Sequence, residues 1–132
     1  MEYVEKNERY KRIGERLIEK EKSLEDIRLS DVRIDYLSSD REKTNSSGNV
    51  LGECIKVKDV YKVYTDADFL IVLYEPNVEH LSDKQLEILI HHELLHVGIG
   101  ENDGEPRYLI RPHDVEDFAE IIKRYGVDWA HG

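Results

Sequence analysis

The run His91-His92-Glu93-Leu94-Leu95-His96 brings three imidazoles and a carboxylate together in six residues. On a helix, His92 and His96 are one turn apart and project from the same face, so two ring nitrogens can reach one ion at about 2.0 to 2.1 Å. Glu93 lies at the rim of that face. From there its carboxylate can take a proton from a metal-activated water, whose pKa zinc lowers to about 7. The pattern is His-Glu-x-x-His, a zinc-peptidase signature, and it makes His92 and His96 the expected zinc ligands and Glu93 the expected general base. His91 points about 100° away around the helix and reads as a hydrogen-bonded core or rim histidine rather than a ligand.

A catalytic zinc takes three protein ligands and keeps one position for water, so the chain must supply another donor. Pro112-His113-Asp114-Val115-Glu116-Asp117-Phe118 opens a final helix expected to run to about Tyr125, with Phe118, Ile121, Ile122 and Tyr125 on its apolar side. His113, Glu116 and Asp117 stand at i, i+3 and i+4 and can approach one point. His113 is the expected third ligand, with Asp117 or Glu116 orienting a ligand imidazole from behind; Glu116 as the ligand is the alternative. A plain helix start, with Asp114 as its cap, is the structural alternative. Tyr108 and Arg111 are open either to an oxyanion role or to packing. For the aromatics Tyr125 and Trp129 near the C-terminus, packing is the expectation.

The elements that must hold these groups follow from local patterns. Ser82-Asp83-Lys84-Gln85 predicts a capping box, with Leu81 stapled onto Leu86, and Gly98 and Gly100 supply the helix stop. Leu86, Ile88, Leu89, Ile90, Leu94, Leu95 and Val97 cover nearly the whole circumference, which places this helix in the interior. Phe69 to Tyr74 is a continuous apolar run, expected as a strand buried on both faces. Val32 to Leu37 alternates as a strand with one wet face, and Val50 to Val57 followed by Tyr61 to Tyr64 predicts more sheet. Residues 1–22 predict a charged amphipathic N-terminal helix, 38–49 a mobile loop, and 98–106 a loop before a short strand at Tyr108-Leu109-Ile110.

The chain has 132 residues, 36% of them charged and 39% hydrophobic, with a formal charge of −10 and one cysteine. This predicts one domain over residues 1–132, without a membrane span or a secretory signal, and so a cytoplasmic protein. The acidic balance repels phosphate backbones and disfavours nucleic acid as a partner. Cys54 alone excludes an internal disulfide and a multi-cysteine zinc site, and reads as an inert buried thiol.

His92-Glu93-Leu94-Leu95-His96 followed by His113-Asp114-Val115-Glu116-Asp117-Phe118 resembles the putative phage metallopeptidases, from about Asp68 to Trp129. At motif level it is also similar to SprT-like proteases. The first resemblance implies an α+β, zincin-like fold with a short mixed or antiparallel sheet, a central helix bearing the motif, and N- and C-terminal helices. It also implies a zinc ion, a protein or peptide substrate, and a sheet edge within about Asp68 to Tyr74 for an extended substrate. Metzincins are excluded, because Ile99 and Asn102 stand where that longer motif needs Gly and His, and Met1 is the only methionine. The expected function is zinc-dependent peptide hydrolysis. Hydrolysis of a non-peptide amide and a catalytically silent metal-binding module are the alternatives.

Overall fold

The computed structural model describes residues 3–46 and 48–112. The architecture is α+β. Among the described residues, a four-stranded sheet carries the order β1 (Val4–Lys6), β2 (Ile34–Ser39), β6 (Phe69–Tyr74), β5 (Gly52–Lys56). β2 and β6 run parallel, with Ile34 opposite Phe69, while β1 and β5 add antiparallel edges. Small antiparallel pairs are formed by β3 (Thr44–Asn45) with β4 (Gly48–Asn49), and by β7 (Val97–Asn102) with β8 (Glu105–Ile110).

Among the described residues, four α-helices accompany the sheet: α1 (Glu8–Lys20), α2 (Glu25–Arg28), α3 (Glu75–Val78) and α4 (Asp83–Leu94). Asn7 caps α1 by accepting from the Tyr10 amide at 2.9 Å. The core lies where α1 and α4 meet one sheet face, around Leu17, Tyr36, Phe69, Ile71, Leu73, Ile90 and Leu94. Each such aliphatic side chain contributes about 1.5–3 kcal/mol on leaving water. Among the described residues, no helix is long and apolar enough to cross a membrane.

Several boundaries differ from the local expectation. The N-terminal segment is not one helix, because Val4–Lys6 pairs with Leu37–Ser39 as an edge strand before α1 begins. Ser38 and Ser39 are buried at the end of β2 rather than in a loop. Tyr61 to Val63 belongs to a 3₁₀ turn over Asp59–Val63 and adds nothing to the sheet. The predicted loop after Gly98 is instead strand β7. Asp103 and Gly104, at φ 54° and 81°, make the two-residue left-handed turn into β8 that matches strand twist.

Candidate functional site

α4 starts as its sequence predicts: the Ser82 hydroxyl accepts from the Gln85 amide at 3.2 Å and the Gln85 side chain accepts from the Ser82 amide at 3.0 Å. Its expected end is corrected. The helix stops at Leu94 with Leu95 as its cap, two residues short of His96. The His96 amide donates to the Glu93 carbonyl at 3.1 Å, an i to i−3 bond that tightens the last turn. His92 and His96 therefore remain neighbours, although only His92 is on the helix. Their ring centroids are 5.4 Å apart, at an interplanar angle of 65°.

That spacing fits a shared ion. Nitrogens about 2.0–2.1 Å from one tetrahedral zinc put two imidazole centroids about 5 Å apart. The outward nitrogen of His96 has its partner as well, since Nδ1 lies 2.7 Å from the Arg111 carbonyl oxygen. A carbonyl accepts only from a protonated nitrogen, so Nδ1 carries a hydrogen, and in the neutral ring the lone pair is then on Nε2, the nitrogen a metal would take. His91 is fully buried and its Nε2 lies 2.9 Å from Ser23 Oγ, the core role expected of it.

Glu93 is 6% exposed, and burial, reinforced by the Glu53 carboxylate, pushes its pKa up to about 8. It faces a cleft of about 480 Å³ together with Lys43, Gly52, Glu53, Cys54 and His96. Across this cleft, Lys43 pairs with Glu53, and the Tyr74 hydroxyl donates to Glu53 at 2.8 Å. The buried Asn77 side-chain amide donates to the Lys43 carbonyl at 2.9 Å and the Val50 carbonyl at 2.8 Å, which clamps the base of the β3–β4 hairpin against the site. Nothing in the local sequence around Lys43, Glu53, Tyr74 or Asn77 marks them, because they meet through contacts between segments distant in sequence. Burial, then Glu93, raises the Cys54 thiol to about 12, so the inert thiol expected from sequence also lines the cleft.

The sheet edge also needs correction. β6 is interior, flanked by β2 and β5, and has no free edge for a substrate. The edge beside Glu93 is β5. Bonds from the Tyr74 amide to the Leu51 carbonyl and from the Val57 amide to the Asp68 carbonyl set its phase, so Glu53 and Ile55 bond inward to β6. Gly52, Cys54 and Lys56 turn their backbone groups outward, and among the described residues no strand pairs with them.

Tyr108 packs edge-on against Phe69 with centroids 6.0 Å apart, and Arg111 Nε donates to the Leu95 carbonyl at 3.1 Å; both do structural jobs here. His113, Glu116, Asp117, Tyr125 and Trp129 lie outside the described residues. Among those described, no three His, Cys, Asp or Glu side chains form a metal-holding group; His92 and His96 make a pair. A family model described as putative phage metallopeptidase matches residues 1–131. No curated protein and no solved structure matches the chain.

Proposed function

The chain belongs to the putative phage metallopeptidase family, and from that premise we propose that it is a zinc-dependent peptidase with His92 and His96 as metal ligands and Glu93 as general base. The observation that carries this reading is the His92–His96 ring pair, 5.4 Å apart, with the His96 Nδ1 held by a carbonyl and the Glu93 carboxyl buried beside them. His113 completes the ligand set, with Glu116 as the alternative donor and Asp117 as a partner for a ligand ring. A zinc ion there, when bound, supplies Lewis acidity that lowers the pKa of a water and polarises the scissile carbonyl.

The chain's own residues do the rest. Glu93, in its ionised form, accepts the proton of the attacking water and passes it to the leaving amine. The outward amides and carbonyls of Gly52, Cys54 and Lys56 pair with an extended substrate backbone, as a strand is added to an open sheet edge. Lys43, Glu53 and the β3–β4 hairpin form the wall beside that edge.

Elemental analysis of the full chain purified without chelators, combined with a peptide hydrolysis assay, tests the reading. About one zinc per chain is expected, retained in Glu93→Gln while hydrolysis falls by about 10²–10⁴-fold. His113→Ala should lose the metal and Glu116→Ala keep it. Absence of zinc after reconstitution, or full activity in Glu93→Gln, would overturn the proposal; zinc without turnover on any peptide would favour the silent metal-binding module.

A further inference from the structure

His96 stands beyond the end of α4, so the helix by itself does not orient its ring. The carbonyls of Leu95 and His96 are among those that a helix end leaves without intrahelical partners, and both residues are buried. Arg111 answers each of them: its amide donates to the His96 carbonyl at 2.7 Å and its Nε donates to the Leu95 carbonyl at 3.1 Å. A third bond joins His96 Nδ1 to the Arg111 carbonyl at 2.7 Å.

The hairpin register explains this arrangement. Val97 pairs with Ile110, so the next rung of the ladder sets His96 opposite Arg111. An ordinary rung would return the His96 amide to the Arg111 carbonyl. That amide is committed to Glu93, and the imidazole Nδ1 takes its place. The ring thus becomes part of the β7–β8 ladder. Pro112 follows Arg111 and disfavours helical backbone there, which favours the extended geometry that a ladder rung needs.

We propose that Arg111 is a positioning residue: its guanidinium, closed on the Leu95 carbonyl, seats the Arg111 main chain against His96 and so selects the tautomer that carries its proton on Nδ1 and its lone pair on Nε2, the nitrogen that would face the metal. The metal part of this inference rests on the function proposed above; the tautomer part does not. Partners of this kind behind a ligand histidine change metal affinity by about 10–100-fold.

The test compares wild type, Arg111→Ala, Arg111→Lys and Arg9→Ala in the full chain. The Lys variant keeps the charge and stem but lacks the Nε donor, so it isolates the hydrogen bond from the electrostatic effect of removing a cation beside a metal. Arg9 forms an ion pair with Asp83 away from the site and serves as the control. Ring-nitrogen NMR of metal-free protein at pH 8 should show His96 as one Nδ1–H tautomer in wild type and Arg9→Ala, and as a mixture in both Arg111 variants. Zinc affinity, measured by competition with a chromophoric chelator, should fall about 10–100-fold in both.

A lowered Tm with unchanged tautomer and unchanged zinc affinity would reduce Arg111 to a helix cap and overturn the proposal. Wild-type behaviour of Arg111→Lys would do the same. If Arg111→Ala does not fold, Arg111→Lys carries the test. If wild type takes up no zinc, the metallopeptidase reading falls, and the tautomer comparison still decides the role of Arg111.

Discussion

Gly52 is where the open edge strand meets the buried Glu93, and replacing it by alanine tests that junction directly. A Cβ at this position would lie 2.6 Å from Leu73 Cδ2, 3.0 Å from the Val72 carbonyl oxygen and 3.6 Å from Glu93 Cγ. The last distance is ordinary contact. The first two are not, and Leu73 is fully buried, so its side chain has little room to turn aside. Strand β5 must instead shift away from β6, and overpacking of this kind costs about 1–3 kcal/mol. With roughly 4 °C per kcal/mol for a chain of this size, Tm should fall by roughly 4–12 °C. Gly100→Ala is the matched control, because its Cβ would meet only the Arg107 carbonyl oxygen at 3.9 Å. Urea and thermal unfolding followed by circular dichroism would give both values, and peptide hydrolysis should fall in Gly52→Ala as the edge leaves Glu93. Equal stability of the two variants would refute the packing described for β5 and the geometry of the cleft built on it.

Asn77→Ala removes both donors that clamp the β3–β4 hairpin and leaves the Lys43 and Val50 carbonyls to find water; stability should drop by about 1–3 kcal/mol, with faster tryptic cleavage after Lys43. Unchanged proteolysis would show that the clamp does not hold the hairpin. The Cys54 thiol, raised to about 12 by burial and by Glu93, stays protonated at pH 8, and since the thiolate is the reactive form, iodoacetamide should modify it at least ~100-fold more slowly than a free cysteine. Labelling at the free-thiol rate would contradict its burial. Ser82→Ala deletes one half of the capping box of α4 and should cost about 1 kcal/mol in chemical denaturation, a loss that Ser82→Asp would largely restore.

How much of the site was legible in advance depended on the range of the interactions involved. Ser82 and Gln85 cap each other across three residues, so the start of α4 could be read directly. The apolar run Phe69–Tyr74 announced a strand buried on both faces, and it is the central strand beside β2. The Asp103-Gly104 pair is a two-residue hairpin signal inside the segment 98–106 and is the turn that joins β7 to β8, so this hairpin is encoded locally. Tyr61 to Tyr64 has the residue types of a strand, but among the described residues no strand pairs with it, and Tyr61 to Val63 lies in a 3₁₀ helix capped by Tyr64.

The sequence by itself determined that His92 and His96 lie one turn apart, with Glu93 beside His92, at the end of a buried helix, because helical spacing and capping depend on residues only three or four positions away. Tertiary structure decided the rest. It ended the helix before His96 and handed that ring to Arg111, put Glu53 and its partners Lys43 and Tyr74 beside Glu93, and gave the open edge to β5 rather than β6. Each of these depends on which strands pair and in what register, contacts between residues 10 to 40 positions apart that no local pattern encodes.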